Sequence, residues 1–299
     1  GGRDLKEEIG GITMLQGLAA LAADSQTRVI VLISKPPAPA IARRIEAAAA
    51  ASGKPVVIHF LGARPEQARV GVSSAGSLRE AADLAVAIAH GEPGFASAET
   101  SAGGAVAAVE RRAAAMAPKQ RSVRGLFTGG TFCYEAQLAF IARDLTCSSN
   151  APAKGALAFD GRFDGHVFLD LGDDDYTRGR PHPMIDPTLR DAAVRTQGAD
   201  AETAAILFDV VLGFGSHADP AAGLARALTD AGREAAAQGR ALAMIGHVCG
   251  TDGDPQDKAA QVRQLEDAGA VIVGSNVEAA ALAAHLATRL VARASERRG

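Results

Sequence analysis

Residues 28–33 (Arg28-Val-Ile-Val-Leu-Ile33) and 55–61 (Pro55-Val-Val-Ile-His-Phe-Leu61) are apolar runs without polar alternation. Unbroken runs of this length are the pattern of parallel strands covered on both faces. The same pattern returns at residues 205–212 and 241–248. Around each pair of runs the order of elements is the same. An Ala-rich helix leads into the first run, and a Gly/Pro/Ser loop follows. A second Ala/Arg-rich helix then spans residues 39–51 in one copy and 219–238 in the other. That helix ends at Gly53-Lys54 and at Gly239-Arg240. The second run comes next, and a small-residue turn opens a last helix, at Gly76-Ser77-Leu-Arg-Glu80 and at Gly274-Ser275-Asn-Val-Glu278. A repeat this long is a duplicated domain, not a solenoid unit.

Between the copies, residues 123–128 and 166–170 read as further strands, residues 132–145 as a helix, and residues 146–163 as polar and irregular. Strands alternating with helices imply parallel sheets with right-handed crossovers. The expected fold class is α/β, two flavodoxin-like doubly wound parallel-sheet domains; the strand count is too low for a TIM barrel. The first domain is placed at residues 1–92 and the second at 122–299. The Gly/Ala/Ser/Glu-rich residues 93–121 are read as a linker. The chain opens on Gly1-Gly2-Arg3-Asp4 with no strand before it, so the first domain is read as N-terminally incomplete.

Composition narrows the function. The 299 residues carry a formal charge of −3, and acidic and basic residues are mixed, which argues against nucleic acid as a partner. No run of about 18 apolar residues marks a membrane span, and no signal peptide is visible. Three cysteines, Cys133, Cys147 and Cys249, make no disulfide framework, so a reducing, cytoplasmic setting is expected.

Four segments carry candidate chemistry. Gly129, Gly130 and Thr131 stand between a strand and a helix. The free N–H groups and dipole of such a helix start attract anions, and Thr131 is placed to cap or to donate to a phosphate or carboxylate oxygen; the alternative is an ordinary turn. In Asp209-Val-Val-Leu-Gly213-Phe-Gly215-Ser216, an apolar strand meets a second Gly-rich turn, with Ser216 and Asp219 as rival caps. Asp209 within that strand is costly unless paired. It is read as facing the ligand, against the alternative of a satisfied carboxylate at a strand end. His217 is read as a loop residue. In Gly250-Thr251-Asp252-Gly-Asp254, polar groups cluster where a strand of an open α/β sheet ends. Cys249 is read there as a small hydrophobe and His247 as a buried, bonded strand residue. Asp173, Asp174 and Asp175 are read as a solvated loop and not a metal site, Arg178, Arg180 and His182 as groups able to recognise an anion, and Asp186 as a helix cap. There is no Walker A, no dinucleotide Gly fingerprint and no metal-ligand Cys/His spacing.

Gly129-Gly-Thr-Phe-Cys-Tyr-Glu-Ala136 resembles the Ser-Gly-Thr-Leu-Thr-Tyr-Glu-Ala segment of the succinyl-CoA synthetase α subunit, whose helix start faces a phosphohistidine. Gly1-Gly-Arg-Asp4, the Asp209 and Cys249–Gln256 motifs and His182-Pro-Met-Ile-Asp-Pro187 make the whole chain similar to the FdrA family, an acyl-CoA synthetase-like group. The resemblance implies ligase-type flavodoxin-like domains and an upstream CoA-binding-like domain. It implies acyl or carbamoyl transfer through a phosphate-linked anionic intermediate, as in an oxamate carbamoyltransferase subunit. Gly129, Gly130, Thr131, Gly213, Gly215, Ser216, Gly250 and Thr251 would hold the anion, and Asp209 and Asp252 would orient polar groups. No cofactor is fixed; CoA, phosphate or a nucleotide suits the site. A small anionic substrate and a homo-oligomer or hetero-complex are the expected partners. The chain departs from the synthetases in having no histidine at residues 71–77 or 250–255, where their phosphohistidine turn falls. The alternatives are acid–CoA ligation and a non-catalytic scaffold that kept the fold.

Overall fold

The computed structural model describes residues 2–63, 69–92 and 102–296. The chain divides into two compact units, Gly1–Glu99 and Thr100–Gly299.

In unit 1, α1 (Ile12–Ala23), β1 (Ile30–Ser34), α2 (Pro39–Ala50), β2 (Val56–Phe60), β3 (Val72–Ser74) and α3 (Leu78–His90) follow one another. The three strands are parallel and lie in the order β1-β2-β3. Both expected apolar runs are strands. The third strand is two serines and a valine, which read as a turn because three residues carry too little pattern. Ile30, Leu32, Val56, Ile58 and Phe60 bury one sheet face against Leu18, Ile41 and Ile45. On the other face Val57 packs with Ala75 and Ala81 beside Leu84 and Ile88. The Asp4 carboxylate receives the Thr13 and Met14 N–H groups at 2.9 Å each, closing the first turn of α1 where Gly11 has no side chain to do so. Those bonds hold the Asp4 carboxyl below its usual value. Gly11 is obligatory: its φ is +72°, and a Cβ there would lie 2.9 Å from Ile41 Cγ2.

Unit 2 contains α4 (Ala102–Ala115), β4 (Ser122–Phe127), α5 (Gly130–Ile141), β5 (Cys147–Ser149), β6 (Leu157–Ala158), β7 (His166–Asp170), α6 (Asp174–Thr177), α7 (Thr188–Ala199), β8 (Thr203–Val211), α8 (Pro220–Ala237), β9 (Ala243–Cys249), α9 (Lys258–Asp267), β10 (Val271–Val273) and α10 (Asn276–Glu296). All seven strands are parallel, in the order β10-β9-β8-β4-β7-β5-β6. Without the short β5 and β6, the strands numbered along the chain read 2-1-3-4-5, the flavodoxin order. Two differences from the sequence reading stand out. Residues 146–163 hold two short strands. Within the expected linker, residues 102–115 are a helix whose Val109 is fully buried. Val109 and Ala113 join the core of α5 and α10, so packing organises a stretch whose composition reads as loop. Residues 93–101 lie outside the described residues.

The cores follow the sheet's two faces. Ile206, Phe208 and Val210 of β8 pack toward α7, α8 and α9. Leu207 packs with Val123, Phe127, Phe140 and Ala283 of β4, α5 and α10. This period-two division is what the strand pleat requires.

Candidate functional site

The strand order reverses between β4 and β8, and ligands of open α/β sheets bind outside the carboxyl ends of strands at such a point. β4 ends at Phe127. Thr128 follows, Gly129 is extended (φ −166°), and α5 starts at Gly130 with no side chain capping its first turn. Four N–H groups of a helix start lack partners within the helix, and no side chain caps this one. Thr131 is exposed on the first turn.

Asp209 is fully buried and lies under this turn instead of facing a ligand, which corrects the sequence reading. Its Oδ1 accepts the Thr128 N–H at 2.7 Å, and its Oδ2 accepts the Thr128 hydroxyl. Burial pushes its carboxyl up, against the pull of the Thr128 hydroxyl and of Arg190. Arg190, itself buried, donates to the Asp209 carbonyl at 2.9 Å and to that of Pro220 at 3.3 Å. Asp209 therefore holds Thr128, and through it the start of α5. Asn276, at the start of α10, secures the same turn by donating to the Phe132 carbonyl at 3.1 Å and to Glu135 Oε2 at 2.8 Å.

The turn after β8 leaves the same sheet edge beside it. Gly213 has φ +133°. The buried Gln256 side chain accepts from Gly213 N at 3.0 Å and donates to its carbonyl at 2.6 Å and to that of His217 at 3.2 Å. Gly215 is exposed, Phe214 is 92% exposed, and the Ser216 Oγ is shielded from solvent without a hydrogen-bond partner. Neither expected cap serves α8. Asp219 accepts from Gln261 and Gln264, and the Gln261 oxygen takes the Ala221 N–H at 2.9 Å. His217 is a loop residue; its Nδ1 accepts from Asp219 N and its own N–H bonds Met184 O at 2.7 Å.

The turn after β9 is self-contained. Asp254 accepts from Thr251 N at 2.6 Å and from its hydroxyl at 3.3 Å, so the Thr251 hydroxyl is already engaged. Gly250 approaches Leu212 so closely that a Cβ would lie 2.8 Å from the Leu212 Cβ. Lys258 donates to the Gly250 carbonyl at 2.9 Å. Asp252 is exposed. Gln256 ties this segment to the β8 turn. No described contact brings Asp252 or Thr251 to the start of α5.

His182, expected with Arg178 and Arg180 as a group able to recognise an anion, lies near the β4 turn. A Cβ on Gly172, just beyond β7, would lie 2.4 Å from His182 Nε2 and 2.7 Å from the Thr128 carbonyl. The imidazole and the β4 turn therefore converge on Gly172. Met184 N donates to His182 Nδ1 at 3.2 Å. Gln256 and Asn276 were missed as holders of the turns, although both stand beside motifs already singled out. His247 is bonded as expected: its Nδ1 lies 3.1 Å from Val273 O, its ring meets Phe132 edge-on at 6.0 Å, and burial lowers its pKa. Burial raises the Cys249 thiol, and that of Cys147 to about 11, so neither is an activated nucleophile. Asp173 caps α6 by accepting from Asp175 N, while Asp174 and Asp175 are exposed. Asp186 accepts from Thr188 N at 3.1 Å, at the start of α7. Among the described residues no group of three or more His, Cys, Asp or Glu could hold a metal ion, and no helix is long and apolar enough to cross a membrane.

Residues 126–286, from β4 into α10, match the CoA-ligase family. The chain belongs to the CoA-ligase family. It is 40% identical over 287 residues to the uncharacterised protein YahF of Escherichia coli K12, covering 95% of this chain and 55% of YahF. It thus spans about half the length of that relative. Solved structures of the dinucleotide-forming acetyl-coenzyme A synthetase 1 of Ca. Korarchaeum cryptofilum align over 95% of this chain and 58% of theirs. The apo form is 15% identical and the complex with phosphate and ADP 14%, each with a TM-score of 0.38.

Proposed function

We propose that this CoA-ligase-family chain is an FdrA-type subunit that transfers an acyl or carbamoyl group through a phosphate-linked anionic intermediate. The observation that carries the reading is the β4 turn. An uncapped helix start stands at the topological switch point, fixed from below by a buried carboxylate that itself takes no part in contact with substrate. Preorganised N–H donors of this kind stabilise developing negative charge without reorganising. Gly129, Gly130 and Thr131 hold the anion, and Ser216 on the neighbouring turn, whose shielded hydroxyl has no partner, donates to it once the turn opens around the ligand. A phosphate or carboxylate fits this donor set. Gly213 and Gly215 shape the second turn. Gly250 and Thr251 serve the site through packing and their own turn, and Asp252 remains a candidate for orienting a polar substrate group.

In the carbamoyl version a phosphate oxygen attacks the carbamoyl carbon of oxalurate. The carbon–nitrogen bond breaks, and the departing nitrogen takes the proton given up by phosphate, leaving carbamoyl phosphate and oxamate. This route requires no phosphohistidine, which suits residues 71–77 and 250–255. Acid–CoA ligation is the second reading, favoured by the family match. The chain is expected to work in the cytoplasm within a complex of other subunits.

The test supplies oxalurate and phosphate to the full-length protein with its co-encoded partners, alongside a reaction of CoA, ATP and a carboxylic acid. The expected result is carbamoyl phosphate, with turnover reduced about 100- to 1000-fold in Thr131→Val and Ser216→Ala, the scale of losing single donors to a developing anion. Acyl-CoA formation would replace the proposal with ligation. Absence of both products would leave a scaffold.

A further inference from the structure

The two units carry a histidine at the same place in the repeat, and its second ring nitrogen differs between them. His59 pairs in register with Ile33, and His247 with Asp209. The Nδ1 of each bonds a carbonyl at the end of the next strand, Ala75 O at 2.8 Å and Val273 O at 3.1 Å. Ser77 and Ser275 then accept the N–H of Glu80 and Glu278 as the next helix starts. His59 Nε2 is sealed from solvent without a partner. His247 Nε2 also has no hydrogen-bond partner among the described residues. It nevertheless keeps contact with solvent, although only 9% of the residue is exposed.

A carbonyl oxygen only accepts, so the bond to Val273 fixes the proton of the neutral ring on Nδ1 and leaves a lone pair on Nε2. Burial above all lowers the pKa of this imidazole, and the Lys258 cation adds to the effect; the Val273 bond and the carboxylates of Asp209 and Glu278 pull the other way. The ring is therefore neutral at pH 7, with Nε2 as an acceptor. By strand alternation His247 shares the face of Ile245, which packs toward α5 and α10. On that face it stands beside Asp209, the carboxylate that holds Thr128. Its ring meets Phe132, in the first turn of α5, edge-on at 6.0 Å. A lone pair without a partner thus lies beside both the uncapped helix start and the group that fixes it. A buried nitrogen left unpaired is costly, and a proton to accept would complete it.

We propose that His247 is the catalytic base of the transfer: its Nε2 takes the proton of a hydrogen phosphate held at the start of α5 and passes it to the departing nitrogen. This rests on the reading of the α5 start as the phosphate site. The phosphate oxygen that loses the proton attacks the carbamoyl carbon. The carbon–nitrogen bond breaks, its electron pair stays on nitrogen, and the proton from Nε2 joins it. The imidazole ends neutral, and it forms no bond to phosphorus.

The first test is nitrogen NMR of the histidine rings in the full chain, titrated with inorganic phosphate. The expected result is a bare Nε2 on His247 that moves toward the shift of a protonated nitrogen as phosphate binds, while the rings of His59 stay unmoved. The second test is His247→Asn, which keeps a side-chain N–H for the Val273 carbonyl and removes Nε2. In the oxalurate and phosphate assay its kcat should fall about 100-fold, the scale of a lost general base, with KM for phosphate changed less than about twofold. An Nε2 already protonated in the free chain, or one indifferent to phosphate, overturns the proposal. So does an Asn variant as fast as the unsubstituted protein, which would leave carbamoyl transfer itself intact. If the unsubstituted protein makes no carbamoyl phosphate, the reading of the reaction fails and the hand-over to nitrogen fails with it, whereas a phosphate-sensitive Nε2 would still uphold His247 as the proton acceptor of the anion site.

Discussion

Ile33 and Asp209 occupy the same place in two copies of one α/β repeat, yet one is an exposed aliphatic and the other a buried acid. The surroundings make the difference. In unit 2, β4 brings the Thr128 N–H and hydroxyl onto Asp209, so burial of the carboxylate is compensated. In unit 1 no described strand stands on that side of β1, and a leucine- or isoleucine-like residue tolerates partial exposure without cost in hydrogen bonds. The repeat therefore supplies a scaffold twice, while the uncapped helix start of α5 depends on the half that, among the described residues, only unit 2 displays. A duplicated fold does not duplicate a site unless the switch point is duplicated with it.

Swapping the two residues tests this most severely. Asp209→Ile should destabilise unit 2 by about 3 kcal/mol, because the Thr128 N–H is left buried and unpaired. Ile33→Asp should change the stability of the chain by less than about 0.5 kcal/mol, as for an exposed site. Urea denaturation of both variants decides it; equal costs would break the comparison.

Acid should separate the copies next. His166 of β7 accepts the Val123 N–H at 3.1 Å, and burial, followed by the charge of Arg124, lowers its pKa from 6.5 to about 4. Folded unit 2 thus binds fewer protons than the unfolded chain between these values. Its stability is full above 6.5, falls as the pH drops toward 4 and then levels, with a limit of about 3 kcal/mol. Unfolding measured across that window should show the loss, and His166→Gln should flatten it. An unchanged acid response in the variant would remove His166 as the cause.

The smallest effects should be equal. Ser77→Ala and Ser275→Ala each remove a hydroxyl that accepts a first-turn N–H, costing about 1 kcal/mol apiece. Thermal melts that showed a cost in only one copy would weaken the equivalence of the two helix starts.

Much of this was legible in the chain. The long apolar runs became β1, β2, β8 and β9, and the small-residue turns at Ser77 and Ser275 became helix starts. Strands β3, β5 and β10, of three residues each, were not legible, since so short a segment is held by its neighbours' ladder and not by its own pattern. The Gly129–Thr131 turn was found because Gly-Gly-Thr between a strand and a helix has a physical meaning of its own. The role of Asp209 was misread because its partner lies 81 residues away. The proximity of His182 to Thr128 was not legible, because it shows only in the space denied to a Cβ on Gly172.

The sequence alone determined the alternation of helices and strands, the parallel sheets, the repeat and the Gly-rich turns, because each depends on periodicity or on the backbone freedom of a few neighbouring residues. Only the tertiary structure decided which turns meet at the switch point, which carboxylate is sealed and which hydroxyl is left without a partner. Those outcomes depend on strand order, and strand order is set by contacts between residues that the chain keeps far apart.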